Sequence, residues 1–391
     1  MIMLISVSVL ILYCGQKSSR MRILSLYYTH KPGGFCKRLY RLLNALSKAG
    51  HEVHYLALDP PPANLSPQIR FVRIPFLMQS RSGILFWLIF SIWLPFYLVL
   101  HVLRIKPERY VVFGTYYSAA LVLAKLFVPA SIVLFIRTLL IPRVKSTQRI
   151  KQELIALGDK IGLRLASKII CQTVTMKEQV IAIYPSSTDK IEILPNDAPR
   201  TDLRSMGPDE GVKELLSERG AGEDALICLT SGVFVEGKNI SLLLKAFTQL
   251  HSKHGMRYVL LIAGQGRALE QCLHEHSPLP ANIIHLGWRS GIADIFPLVS
   301  LVLHPSTHEG MPNSVLEPLG AGIPVLVGRT PEALELVGDE RLTFSTENPE
   351  ELAVRLENLS QEVENIRKLC RRRGEELSFD WDAVAVKATV C

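Results

Sequence analysis

Short apolar runs of β-type residues alternate with amphipathic stretches along nearly the whole chain, and they do so in two separate series. Such alternation marks a parallel sheet covered by helices. A strand buried on both faces reads as a continuous apolar run, while its covering helix shows a single apolar face. The first series runs from RILSLYY at 22–28 through a helix at 36–49, HEVHYLAL at 51–58, FVRIPF at 71–76, YVVFG at 110–114, SIVLFIR at 131–137 and KIICQ at 168–172, and ends near IEILPND at 191–197. The second begins with ALICLTSG at 225–232 and continues through YVLLIAG at 258–264, NIIHLG at 282–287, LVLHPS at 301–306 and PVLVG at 324–328. Residues 198–223, polar and carrying Pro and Gly, read as the linker. The reading is therefore α/β, with two facing, doubly wound, Rossmann-like domains and a ligand cleft at the carboxyl ends of both sheets. A chain of 391 residues is long enough for both cores.

Charge divides along the same line. Residues 1–200 hold 26 Lys and Arg against 9 Asp and Glu, and the remainder holds 18 against 27. A basic first half favours an anionic surface or substrate. Its cations fall as singles and pairs, such as Lys37-Arg38, with no recognition helix or RNA motif, so an anionic membrane fits better than nucleic acid. The seven cysteines are scattered with no C-x-x-C pair, which argues against a disulfide framework and a zinc knuckle and suits a reducing compartment.

Two apolar segments bear on the membrane. Residues 1–13 are too short to span a bilayer, and Lys17 and Arg20 follow the apolar run where a signal peptide needs charge before it. Because Met21 opens the first strand, residues 1–20 read as an N-terminal extension. Residues 84–103 contain no charge and are flanked by Arg81 and by Arg104, Lys106 and Arg109. Hydropathy alone reads them as transmembrane. A single crossing is rejected, because it would put strands of one sheet on both sides of the bilayer. A helix in the interface, a re-entrant hairpin and a helix buried in the protein remain, with the flanking cations and two tryptophans favouring membrane association. The expected location is the cytoplasmic side of a membrane, peripheral or monotopic.

The most informative stretch is His304-Pro-Ser-Thr-His-Glu309-Gly-Met-Pro-Asn-Ser-Val-Leu-Glu317, in which a strand ends near Ser306 and a helix starts near Asn313. A helix N-terminus approached by small residues is a natural anion site, and two carboxylates bracket it. Ser314 and Glu317 also have capping-box spacing, so Glu317 has a purely structural reading; Glu309 has none. His304, His308 and Glu309 do not make a metal cluster, because Pro305 breaks the helix that would align the histidines.

This stretch resembles the E-x7-E element of the family 4 glycosyltransferases, which have the GT-B fold. The resemblance implies that Glu309 contacts hydroxyls of a donor sugar, that Glu317 binds the nucleotide ribose, and that backbone from Gly310 through Met311 and Asn313 to Ser314 meets sugar and phosphates. The run Ser231-Gly232-Val233-Phe234-Val235-Glu236-Gly237-Lys238-Asn239 resembles the family's Gly-Arg-Leu...Lys-Gly element. There a lysine, here Lys238, neutralises the donor diphosphate. Val233 stands where the family has arginine. Gly33 and Gly34 resemble the family's glycine loop, Trp288 and Arg289 fall near the expected nucleobase pocket, and Ser378-Phe-Asp-Trp381 resembles the start of a terminal helix that returns to the first domain. A histidine usual after the strand at 110–114 is missing, and Thr115, Tyr116 and Arg137 are candidates for its space. The implied domains are 21–197 on the acceptor side, 198–371 on the nucleotide-sugar side, and a returning helix at 372–391.

The implied activity is transfer of a sugar from a nucleotide-diphosphate sugar, as substrate, to a lipid-linked or polysaccharide acceptor, with retention of configuration and no metal requirement. The rivals are an epimerase or phosphorylase in the same cleft, and a membrane-bound glycan- or lipid-binding protein that has lost chemistry.

Overall fold

The computed structural model describes residues 20–30, 34–60, 62–76, 78, 81, 83–138, 149–289 and 291–391. The N-terminal extension up to residue 19 and Gly33 fall outside them. The described chain divides into two compact units, one of residues up to Leu194 together with Asp380–Cys391, the other Pro195–Phe379.

The first unit is built on a seven-stranded, all-parallel sheet of β1 (Arg22–Leu26), β2 (Glu52–Ala57), β3 (Arg70–Arg73), β4 (Arg109–Phe113), β5 (Ser131–Ile136), β6 (Lys168–Cys171) and β7 (Ile191–Ile193), in the order β3-β2-β1-β4-β5-β6-β7. Between them run α1 (Gly34–Lys48), α2 (Ile84–Ile105), α3 (Thr115–Ala120), α4 (Val122–Phe127), α5 (Arg149–Leu165) and α6 (Val174–Ile183). The inner strands are buried on both faces, which is why they read as unbroken apolar runs. β3 stops at Arg73, short of the run read from sequence, because Pro75 has no N–H to give a ladder. On one face α1 buries Leu39, Leu42, Leu43 and Leu46 at helical spacing, and its Tyr40 meets Tyr55 of β2 edge-on at 5.8 Å. On the other face α2 lays Phe86, Phe90, Leu94, Leu98 and Val102 into a core shared with Leu24, Leu56 and Val112.

That row settles two of the readings for residues 84–103. The segment is one continuous helix with Pro95 inside it, not a hairpin, and it is not wholly buried. Leu85, Leu88, Ile89, Ile92, Phe96, Leu100 and Leu103 form a second, outward row, with Ile92 68% and Phe96 63% exposed. Val122, Leu126 and Phe127 of the neighbouring α4 are exposed as well.

The second unit carries β8 (Leu226–Val233), β9 (Tyr258–Gln265), β10 (Ile283–Gly287), β11 (Leu301–His304), β12 (Val325–Gly328) and β13 (Thr343–Phe344), parallel and ordered β10-β9-β8-β11-β12-β13. Its helices are α7 (Glu210–Glu218), α8 (Ile240–His254), α9 (Arg267–Glu275), α10 (Asn313–Gly320), α11 (Pro331–Val337), α12 (Pro349–Glu357) and α13 (Leu359–Glu376). Side-chain caps start several of them: Asp209 accepts from Val212 N, Thr330 from Ala333 N and Asn348 from Glu351 N. α13 passes α10 so closely that a Cβ on Gly374 would lie 2.3 Å from the carbonyl oxygen of Leu319. Gly374→Ala should therefore lower stability by about 1–3 kcal/mol in urea titrations, although alanine ordinarily favours a helix; an unchanged midpoint would show that the two helices can part.

The unit boundaries differ from those read in sequence. α13 continues to Glu376 within the second unit, so the returning segment starts at Asp380 and not at 372. There α14 (Trp381–Val390) is capped by Asp380, which accepts from Ala383 N. It docks on α1 of the first unit. Trp381 is fully buried with the guanidinium carbons of Arg38 and Arg41 at 5.3 and 5.2 Å from its ring, Arg41 pairs with Asp382, and Arg109 donates to the carbonyl of Val390. The two carboxylates of Asp380-Trp381-Asp382 thus cap and anchor this helix.

Candidate functional site

In an open parallel sheet the ligand site lies beyond the carboxyl ends of the strands where the order reverses. In the second unit that point is between β8 and β11, which pair directly while β9 leads away on one side and β12 on the other. The two stretches singled out in the sequence are the loops that leave these strands. Gly232 takes φ +140, with open space where a Cβ would stand. Phe234 then turns into the core, and the chain bends through Gly237 at φ +93 and Asn239 at φ 49 into α8. The carbonyl of Gly237 accepts from Thr307 N at 2.9 Å, from the Thr307 hydroxyl at 3.2 Å and from the Ser306 hydroxyl at 3.2 Å. These bonds lock the two loops together, and the ammonium of Lys238 forms an ion pair with the Glu309 carboxylate. Both side chains are mostly sheltered, at 15% and 30% exposure.

Beyond Glu309 the chain passes Gly310 and Met311, both buried, to Pro312, which opens α10 without a side-chain cap. Asn313 and Ser314 are its first two residues, so their N–H groups lie outside the helix's own ladder. Ser314 is inside the helix, which removes the capping-box reading for Glu317. Its hydroxyl instead shares a hydrogen bond of 3.3 Å with Nδ1 of His304. Glu317 follows one turn later, half-buried. Burial, and then the nearby Lys238 charge, holds His304 well below its ordinary value, so its imidazole is neutral near pH 7. An unfolded imidazole takes a proton at about 6.5 and the folded one does not, so acidification through that value favours unfolding. His308 is exposed and, among the described residues, bonds its neighbour Thr307. Among the described residues no group of three His, Cys, Asp or Glu side chains could hold a metal ion.

The run Leu194-Pro195-Asn196-Asp197 before the linker also resembles the family, and its Asn196 reaches this loop. It is buried, and its amide donates to the carbonyl of Met311 at 3.0 Å, fixing the loop between Glu309 and α10. Gly264 and Gly266 are also explained: a Cβ on either would lie 2.0 or 2.3 Å from a carbonyl oxygen of Gly232 or Phe234, so they let β9 pass the β8 loop. Trp288 and Arg289 lie elsewhere, at the end of the outer strand β10. Trp288 is 43% exposed, while Arg289 pairs with Asp209 at 2.9 Å and braces the start of α7.

In the first unit the order reverses between β1 and β4. Gly34 begins α1 there and is exposed. Of the three candidates for the missing histidine, Thr115 is buried and bonds Asp159 of α5, whose carboxyl is raised by burial. Tyr116 packs against Trp87 and bonds Ser91 on α2. Arg137 remains at the strand ends, its guanidinium 5.9 Å from the ring of Phe113. Beside it Tyr27, Phe35 and Tyr117 make an aromatic cluster, Tyr27 lying 4.9 Å from Phe35 and 5.2 Å from Tyr117. The sequence missed Tyr27 and Phe35 for different reasons: Tyr27 reads as part of the strand run 22–28, and Phe35, in the first turn of α1, precedes the helix as read from sequence.

Comparison with known proteins agrees with this fold. The model for glycosyl transferases group 1 matches residues 212–376, and that for Glycosyltransferase Family 4 matches residues 32–196. The putative glycosyltransferase EpsF of Bacillus subtilis is 28% identical over 142 residues, 36% of this chain and 36% of that protein. A GDP-mannose-dependent alpha-(1-6)-phosphatidylinositol dimannoside mannosyltransferase of Mycobacterium tuberculosis is 27% identical over 127 residues, 32% of this chain and 33% of that protein. The chain thus spans about a third of the length of these curated relatives. Anabaena HepE, solved in complex with UDP-glucose, superposes with a TM-score of 0.71 at 15% identity, over 94% of this chain and 98% of that one, a likeness of fold. With both of its units matched, each by the corresponding model, the chain belongs to the family 4 glycosyltransferases of the GT-B fold.

Proposed function

We propose that this protein transfers a sugar from a nucleotide-diphosphate donor to a lipid-linked or polysaccharide acceptor at the inner face of a membrane, with retention of anomeric configuration. The observation that carries the reading is the meeting of Lys238 and Glu309 at the switch point of the second sheet, beside the open start of α10. As the sugar–phosphate bond lengthens toward an oxocarbenium-like state, negative charge grows on the departing diphosphate. Lys238 and the first amides of α10 stabilise that charge. In the donor-free protein Lys238 is held by Glu309. An arriving diphosphate draws the ammonium away, and the freed carboxylate then accepts hydrogen bonds from sugar hydroxyls. Glu317, one turn into α10, takes the ribose.

The names of the relatives support a nucleotide-sugar donor, since the Mycobacterium protein is named for GDP-mannose and HepE was solved with UDP-glucose. The outward apolar row of α2, with the exposed residues of α4, supports a membrane surface, because soluble proteins rarely expose a contiguous apolar patch of this kind. One feature favours a second reading, a binding protein without turnover: Val233, the last residue of β8, supplies no charge where the family has arginine.

A thermal-shift titration with UDP, GDP, ADP and CMP, run beside Glu317→Ala, tests the donor site. A nucleotide at 100 times its Kd should add about 2.7 kcal/mol. Stabilisation by one nucleotide, lost in the variant, is the expected result; no shift with any of them favours the binding protein.

A further inference from the structure

We infer that the groove between the end of β3 and α2 in the first unit is a headgroup site for an anionic phospholipid whose acyl chains lie on the outward row of α2. This deepens the membrane part of the function proposed above. The groove has a volume of about 620 Å³. Arg73 and Arg81 line it, with Leu58 and Phe76 on the β-strand side and Tyr97 and His101 on α2; among the described residues none of its lining is acidic. Arg73 is exposed, and among the described residues the fold engages its guanidinium at Nε, which donates to the carbonyl of Leu58 at 3.3 Å. Arg81 is held by Asp59. Tyr97 donates to the carbonyl of Arg73 at 3.3 Å and meets Nε2 of His101 at 3.2 Å, so the helix wall is fixed to the end of the strand. Arg104 stands close enough to act electrostatically on both Tyr97 and His101.

The case for a lipid rests on continuity and charge. Leu100, 58% exposed, stands one turn after Tyr97 of the groove wall and one turn after Phe96, 63% exposed, so the cationic groove adjoins the apolar row at Leu100. A free phosphate would use the arginines and leave that row in water. A phospholipid uses both, with phosphate oxygens on the guanidinium fork of Arg73 and chains against Phe96 and Leu100. The groove is at the edge strand, two strands out from β1, which separates it from the switch point of that sheet.

Co-sedimentation of the full chain with phosphatidylcholine vesicles and with phosphatidylcholine–phosphatidylglycerol vesicles tests the proposal. The protein should prefer the anionic vesicles. Arg73→Gln should weaken that binding about fivefold without changing binding to phosphatidylcholine alone, and Lys48→Gln, a one-charge control at the end of α1 on the opposite face of the sheet, should leave it unchanged. Phe96→Ser should weaken binding to both vesicles alike. Equal losses in Arg73→Gln and Lys48→Gln would mean diffuse attraction and would overturn the site, as would equal binding of the unaltered protein to both vesicles. The nucleotide titration reads the second unit independently, so failure of the lipid site and failure of the transferase reading are told apart.

Discussion

Lys238→Ala should reduce kcat by about 10²–10³-fold with the nucleotide sugar that stabilises the protein, the loss typical when a group aimed at developing negative charge is removed. The charge is what matters, so Lys238→Arg should recover part of the rate. The ion pair with Glu309 makes the experiment discriminating. If the pair were only a structural tie between two loops, either single substitution would lower the melting temperature and leave turnover of the remaining folded enzyme nearly intact. If it is a donor site, the rate falls and the melting temperature of the nucleotide-free protein barely moves, because the loops are also held by three hydrogen bonds to the Gly237 carbonyl. Comparison of Lys238→Ala, Glu309→Ala and the double variant completes the cycle, and strongly non-additive rate losses are expected of two groups that serve one substrate.

Trp381→Ala is the substitution expected to cost the most stability, about 3–5 kcal/mol. The indole is fully buried against two guanidinium groups, and its loss leaves a large cavity beside them. At 2–4 °C per kcal/mol for a unit of this size, calorimetry should show the transition of the first unit about 10 °C lower. Trp381→Phe should restore most of the loss, since it keeps a ring for the cations. Stabilisation by nucleotide, expected of the second unit under the proposed function, should persist. An unchanged scan would mean that α14 is only loosely held.

Much of the fold was legible because parallel strands buried on both faces announce themselves. The runs containing Ile23–Leu26, Val111–Phe113 and Leu260–Ala263 have no alternation to confuse with a helix. What was hidden follows from the same physics. β13 is two residues long, too short for any pattern, and α3 and α4 are short helices broken at Leu121. The segment at 84–103 left three readings open because hydropathy counts apolar residues without asking which row faces what; only the packing of Phe86, Phe90 and Leu94 decides between them. In the site, Glu309 and Lys238 could be named from their motifs, but their contact depends on β8 and β11 being neighbours, a matter of strand order. His304 and Asn196 could be named too, but the bonds they make, to Ser314 and to Met311, join segments that only the fold brings together.

The return of α14 to the first unit also has a meaning in time. A nascent chain emerges from its N-terminus, and domains ordinarily fold in that order. Here the ribosome reaches Trp381 only after all of Pro195–Phe379 has been made, so the slot between Arg38 and Arg41 waits open through the synthesis of an entire second sheet. The first unit to begin is the last to be finished, and a chain released before residue 380 would carry two complete sheets and one unfilled seam.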